Sequence, residues 1–342
     1  MKALMYSYEM KAILPHSLFF APMEGITDET YRLVILKQFP EWDFMATDFL
    51  RVPASGYYTP EHVMEHYGKT CFSTDSYREK TFFQVLTSEK AFTQETVSTI
   101  HKLGFQWLDL NLGCPSKTVV AHKGGSFLLT DLPLLRQIIK TIRANFPHRF
   151  TCKMRVGFHD DKNLEDIVML LQDEGVEAIT IHARTRDDLY KGIANWDYLK
   201  RAVKVATIPI VGNGDIWEVS DINKLFDYTG CHSAMIGRGA LKTPWLATLY
   251  KDGIFNPSKE LHLCYLVQYF NSFIEALENE NASEVIILKR LKSVSRYIFD
   301  HFSEAEMMKR NFMRTLELEA AKEFLGQIST QKVEQSLGHE SP

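Results

Sequence analysis

Cys114 stands in the segment NLGCPSK, after a glycine and before a proline, where a short apolar run gives way to a helical pattern. A loop thiol with Lys117 and Lys123 nearby is placed for chemistry, whereas Cys152, inside an apolar run, reads as a small buried hydrophobe. Lys153 and Arg155 alternate with Cys152, Met154 and Val156, so a strand there turns both cations to one face. A lysine on such a face wants an anion, which is either a ligand or a buried carboxylate such as Asp109 or Asp215; the pattern leaves both open. His182 closes another apolar run, with Arg184 beyond it and no further ligand at metal spacing. It therefore reads as a hydrogen-bond donor to a ligand, and no metal site is expected. Gly212, Gly214, Gly237 and Gly239, with Arg238 between the last two, form two glycine-rich turns of the kind that accept a phosphate on backbone N–H groups.

These residues sit at or near the ends of short apolar, β-branched or aromatic runs, at positions 17–23, 44–48, 81–86, 107–111, 150–156, 178–183, 208–213 and 233–237, with helical patterns between them. That alternation predicts βα units with a parallel sheet, and eight such units predict a closed (β/α)8 TIM barrel with its chemistry at the carboxyl ends of the strands. Around that mouth would lie Pro22, Met23 and Glu24; Asp48 with Arg51 beyond it; Gln84; Asn111 and Cys114; Lys153 and Arg155; His182 and Arg184; Asn213, Gly214 and Asp215; and Gly237 and Arg238. No GxGxxG follows a strand, which disfavours a doubly wound nucleotide-binding sheet. Helix starts are expected at Thr27 and Asp28, at Thr87 to Glu89, and at Thr130 and Asp131.

The chain has 342 residues, 45% of them hydrophobic and 24% charged, which excludes disordered and fibrous classes. Its 39 Lys and Arg against 43 Asp and Glu, for a net charge of -4, exclude a uniformly basic nucleic-acid wrapper. Five cysteines without a CxxC pair indicate no disulfide framework and suit a reducing compartment, and no apolar run approaches the ~20 residues that span a bilayer. A cytoplasmic protein is expected. The segment KDGIFNPSK marks a boundary, after which the pattern is helical throughout. The expected organisation is an N-terminal extension at 1–16, a barrel at 17–250 and an all-helical domain at 251–342. In the last, Lys289, Arg290, Lys292 and Arg296 cluster, as do Lys309, Arg310 and Arg314; on charge pattern alone these are a solvated face.

The segments APMEGITD, FQVL, LDLNLGCPSKTV with KGGSFLL after it, KMRVGF, IHARTRDDLYKGIANWD, IPIVGNGDIW and MIGRGAL resemble, in order and spacing, the tRNA-dihydrouridine synthases. The resemblance covers about residues 17–245 and continues more faintly into the helical part. TDFLRV, GCPSKTV, GDIW and IGRGAL are most similar to the C branch, which acts on position 16 of the D-loop. The resemblance implies an FMN-binding barrel with a helical tRNA-binding domain, and reduction of the C5–C6 double bond of uridine with NADPH. By motif, Pro22, Met23, Glu24 and Gln84 would line the isoalloxazine and Lys153 would sit by flavin N1 and O2. His182, Asn213, Gly214, Asp215, Gly237 and Arg238 would hold the phosphate end. Cys114 would be the proton donor and Asn111 would hydrogen-bond the uracil edge.

The chemistry calls for these types. Hydride entering C6 builds negative charge toward C5 and O4, so a proton must reach C5, and a thiol still protonated near neutral pH can supply it. A lysine beside the flavin stabilises the charge of its reduced form. NADPH need only deliver hydride and depart, so a dinucleotide fingerprint is not required. An unstacked loop uridine needs cations along its backbone, for which Arg51, Arg155, Arg184, Arg186, Lys289 and Arg310 are candidates, with Tyr190 to stack or orient. Leu291 departs from the branch, which carries an aromatic there. The partner implied is tRNA, with no membrane and no metal, and the protein is expected to be a monomer. The rival readings are a flavin enzyme of free pyrimidines or dihydroorotate, which has no need of the helical domain; a non-redox phosphate-binding barrel lyase with Lys153 as a Schiff-base residue; and a tRNA-binding protein whose catalysis has decayed, against which intact Cys114 and Lys153 argue.

Overall fold

The computed structural model describes residues 10–89 and 91–337, so positions 1–9 of the expected N-terminal extension lie outside the described residues. Among the described residues nine strands form: β1 (Leu18–Phe20), β2 (Phe44–Ala46), β3 (Leu50–Arg51), β4 (Thr81–Leu86), β5 (Trp107–Leu112), β6 (Arg149–Arg155), β7 (Ala178–His182), β8 (Ile210–Asn213) and β9 (Ser233–Ile236). They pair in the order β2-β1-β9-β8-β7-β6-β5-β4, and a parallel β2–β4 pairing closes the ring. The expected TIM barrel is thus present, one strand for each of the eight apolar runs. The additional β3 is a two-residue strand that pairs with Val85 and Leu86 at the carboxyl end of β4.

The barrel interior has two levels. Phe19, Phe44, Phe82 and Trp107 meet at its amino end, with ring centroids 4.6 Å apart for Phe82 and Trp107 and 4.8 Å for Phe19 and Phe44. Burying each such ring is worth about 2–3 kcal/mol, so this aromatic floor is a main reason the ring closes. Above it the register aligns polar residues across neighbouring strands: Gln84 beside Asp109 beside Thr151, Asn111 beside Lys153, and Arg155 beside His182 beside Asn213. Because side chains alternate along a strand, the residues of one register row enter the interior together.

Local signals set the connections. Asp131 caps the helix Leu132–Asn145 through a bond from the Leu134 N–H, as its sequence position predicts. The start expected at Thr87 is displaced: the helix there runs Thr93–Lys102, and the Thr87 hydroxyl is instead paired with Thr93 at 2.5 Å. The start expected at Thr27 and Asp28 is met, the next helix beginning at Glu29, although the Thr27 hydroxyl itself binds Asp48 at 2.5 Å and the Met23 carbonyl.

Among the described residues two compact units emerge, one comprising residues 10–29, 42–216 and 220–237, the other residues 30–41, 217–219 and 238–337. The second contains the helices Lys259–Asn279, Glu284–Val294, Ala305–Arg314 and Leu318–Leu337, joined by Glu29–Gln38 except for its first residue. Ser258 caps the longest of them by accepting from the Leu261 N–H. Its core includes Phe270 stacked on Phe312 at 5.2 Å, and Leu291, fully buried, belongs to that core. Among the described residues no helix is long and apolar enough to cross a membrane.

Candidate active site

At the carboxyl end of the barrel a cavity of about 350 Å3 is lined by Pro22, Met23, Glu24, Phe49, Gln84, Asn111, Gly113, Cys114, Pro115, Lys153, Arg155, His182 and Tyr190. Of the residues expected from sequence, nine beyond Cys114 itself thus share one wall with it: the three after β1, Gln84, Asn111, Lys153, Arg155, His182 and Tyr190. Gly113 and Pro115, which flank Cys114 in its loop, and Phe49, which was not expected, complete it.

The Cys114 loop is built by Asn111. Its Oδ1 accepts the N–H groups of Gly113 and Cys114, both at 3.0 Å, and its Nδ2 donates to Gln84 Oε1 at 2.9 Å. The Cys114 carbonyl is held by the Ser126 hydroxyl at 2.8 Å. Gly125 has φ +55° and lies against the cysteine: a Cβ there would stand 3.1 Å from the Cys114 carbonyl oxygen and 2.9 Å from Val119. Burial raises the Cys114 thiol above its ordinary value and Glu24 adds to this, whereas the Ser116 N–H, Arg51 and Arg155 favour the thiolate. The group is therefore protonated at neutral pH, and two cations and an N–H stand ready to ease loss of its proton.

Lys153 rises from β6 into the same space, where its Nζ makes, among the described residues, a single hydrogen bond, of 3.5 Å to Asn213 Oδ1. Burial lowers its pKa to about 8, with Arg155 repelling it and Asp109 opposing the shift. Asp109 is more deeply buried, and burial pushes its carboxyl up to about 6 against hydrogen bonds from Thr151 and Gln84 and the charge of Lys153. The carboxylate open to Lys153 in sequence is thus an electrostatic neighbour, not a bonded partner, while Asp215 pairs elsewhere.

Two expected RNA contacts are taken up by the protein itself. Arg155 donates to the carbonyls of Gly113 at 3.0 Å and of Thr185 and Leu189 at 2.9 Å, and its guanidinium lies 5.4 Å from the Tyr190 ring centroid. Arg184, 2% exposed, bonds Asp215 at 2.7 Å and the carbonyls of Gly192 and Lys191. It also donates to His182 Nε2 at 3.3 Å, and since a guanidinium only donates, the His182 proton resides on Nδ1. Asp215, at φ +50°, further accepts from the Ala194 N–H at 2.7 Å. Gly214 has φ +127°, and a Cβ there would stand 2.9 Å from that of Ala194. Asn213 donates to the Met235 carbonyl at 2.7 Å. Gly237 ends the barrel unit; Arg238 belongs to the helical unit, with its guanidinium 5.1 Å from the Trp217 ring centroid. Arg51 is exposed on β3, and Arg186 pairs with Asp187. In the helical unit Lys289 and Arg310 are exposed on their helices without ion pairs among the described residues.

A closed parallel barrel whose mouth collects a protonated thiol, a partly buried ammonium and fixed amides defines a TIM-barrel enzyme. A family profile described as dihydrouridine synthase (Dus) matches residues 19–335, and the chain belongs to that family. It is 36% identical over 234 residues to the tRNA-dihydrouridine(16) synthase of Cupriavidus necator, covering 67% of this chain and 72% of that one. With the protein of the same name from Neisseria meningitidis serogroup B it shares 28% identity over 301 residues, or 84% of this chain and 87% of that one. Among solved structures, a morphinone reductase mutant in complex with tetrahydroNAD superposes with a TM-score of 0.52 at 10% identity, over 70% of this chain and 88% of that one. Histamine dehydrogenase from Rhizobium sp. 4-9 does so with a TM-score of 0.54 at 9% identity, over 78% of this chain and 50% of that one. These two share the fold.

Proposed function

We propose that the protein is a flavin-dependent tRNA-dihydrouridine synthase that reduces the C5–C6 double bond of a D-loop uridine, at position 16, with NADPH as reductant. The observation that carries this reading is Lys153: a partly buried ammonium with one weak hydrogen bond among the described residues, facing a cavity that also presents a protonated thiol. Such a cation is stabilised by an anionic ligand edge, which fits a flavin along the cavity floor. The names of the relatives support position 16.

In this reading Pro22, Met23, Glu24 and Gln84 line the cofactor, and Lys153 neutralises its charged edge. His182, Asn213, Gly214, Gly237 and Arg238 hold the phosphate end. Asp215 contributes through the backbone of its turn, because its carboxylate is committed to Arg184 and Ala194. FMN, once reduced by NADPH, supplies the hydride. Cys114 supplies the proton to C5, and Arg51, Arg155 and the Ser116 N–H stabilise the sulfur that has lost it. Asn111 keeps one amide hydrogen for the uracil edge while holding the Cys114 loop. Arg51 and Tyr190 orient the RNA at the mouth, and Lys289 and Arg310 meet its backbone. Arg155 and Arg184 act as clamps beneath the substrate instead of as phosphate ligands.

The test has two parts. Purified protein should be yellow and release FMN on denaturation, and a colourless protein that takes up no FMN overturns the reading. Mapping dihydrouridine in tRNA from a strain lacking the gene, with and without the gene restored, should show position 16 modified only on restoration; unchanged modification there rejects that position.

A further inference from the structure

Beneath the cavity a line of hydrogen bonds crosses three strands. The Trp107 indole N–H donates to Thr151 Oγ1 at 2.9 Å, and Thr151 donates to Asp109 Oδ1 at 2.6 Å. Gln84 Nε2 donates to Asp109 Oδ2 at 2.8 Å, Asn111 Nδ2 donates to Gln84 Oε1 at 2.9 Å, and Asn111 Oδ1 receives the N–H groups of Gly113 and Cys114. Every link donates toward Asp109, from both sides. A carboxylate offers acceptors on both oxygens, so Gln84 must turn its Nε2 to Asp109 and its Oε1 to Asn111. Asn111 must then turn its Nδ2 to Gln84, which leaves its Oδ1 for the loop. Reversing either amide would set acceptor against acceptor or donor against donor in a site where Asp109 is 2% exposed and Gln84 fully buried.

We propose that Asp109 is a positioning residue for Cys114: its carboxylate sets the polarity of the Gln84 and Asn111 amides and thereby holds the Gly113–Cys114 backbone in place. The inference gives a purpose to a buried carboxylate that touches no ligand position and rests on the reading of Cys114 as the proton donor. The hydrogen-bond relay stands within the folded chain whether or not that reading holds.

The test exploits the direction of the chain, on cofactor-free protein, by thermal unfolding. Asn111→Asp replaces a donor with an acceptor, so Gln84 faces an acceptor on each side, and Tm should fall by about 5 °C, as expected for roughly two lost or opposed buried hydrogen bonds. Adding Asp109→Asn should restore most of that loss. The new amide at position 109 then donates to a turned-over Gln84, which donates to the new carboxylate at 111, which still receives both loop N–H groups. If Asn111→Asp alone does not fold, recovery of a cooperatively melting double variant is the supporting result. A double variant no more stable than Asn111→Asp alone, or equally unfolded, overturns the proposal, because independent structural roles would make two buried substitutions add. Since neither measurement needs flavin or tRNA, a failure here is distinct from a failure of the proposed activity.

Discussion

Lys153 Nζ stands 3.5 Å from Asn213 Oδ1 and makes no other hydrogen bond among the described residues. A cation so held has a cost in the free protein that a ligand would remove. Its pKa is about 8 when folded against 10.5 in an exposed lysine. Between those values the unfolded chain binds more protons than the folded one, so this group's contribution to stability rises with pH across the window, and its penalty is fully present below pH 8. Lys153→Met should therefore stabilise the cofactor-free protein at pH 7 by on the order of 2 kcal/mol. The advantage should shrink toward pH 10, and turnover should fall by about 100-fold or more. Denaturant unfolding across pH checks the sign; a destabilised variant at pH 7 contradicts it.

Cys114→Ala should leave FMN and tRNA binding nearly intact while lowering turnover by about 100-fold to 10,000-fold, the usual contribution of a placed general acid. Single-turnover kinetics with pre-reduced enzyme isolates that step, and full activity would refute the assignment.

Gly214→Ala forces a side chain onto a backbone at φ +127°, with its Cβ 2.9 Å from that of Ala194 and 3.3 Å from His182 Cδ2. The strain should cost about 1–3 kcal/mol. Because His182 is displaced with it, flavin retention should weaken as well. Equilibrium unfolding and FMN occupancy report the two effects separately.

His262 and His301 stack with ring centroids 3.9 Å apart inside the helical unit. Burial lowers their pKa values to about 4 and about 3, with the charge of His262 further disfavouring that of His301 and Lys242 pressing on both. The unfolded chain binds more protons below about pH 6.5, so stability supplied by this pair is lost as pH falls from there toward 4. Replacing both with Gln should flatten the dependence between pH 6.5 and 4. An unchanged slope would show that other groups set it.

Removing the charges of Lys289 and Arg310 together should raise the tRNA dissociation constant and reduce the slope of log affinity against log salt by roughly 1–2, as expected for two phosphate contacts. Identical slopes would reject the helical unit as an RNA contact.

Much of this site was legible in the chain because strand alternation carries it. Lys153 and Arg155, two residues apart among apolar neighbours, had to share a face, and a cysteine between glycine and proline at a strand end had to lie in a loop. The fate of the arginines was not legible. A buried guanidinium must find acceptors for its five N–H groups; for Arg155 these are carbonyls of loops distant in sequence, and for Arg184 they are the Lys191 and Gly192 carbonyls of the loop that follows it together with the distant Asp215 carboxylate, a set which no local pattern announces. Asp109 was visible only as one possible partner of Lys153. The i, i+2 relation of Asp109 and Asn111 in WLDLNL was the available signal that they act together.

The sequence by itself determined the βα alternation, the eight barrel strands and the reactive residue types at their ends, since these follow from periodicity and from which side chains can do chemistry. Only the tertiary structure decided the register that lines up Gln84, Asp109 and Thr151, and hence the direction of the hydrogen bonds reaching Cys114. It also decided that helix Glu29–Gln38 groups, from Thr30 on, with the C-terminal helices, where the Tyr31 ring meets Phe273 at 6.1 Å. Register and helix partnership arise from ring closure and long-range packing, whose free energy is shared among residues hundreds of positions apart and so leaves no trace in any one segment.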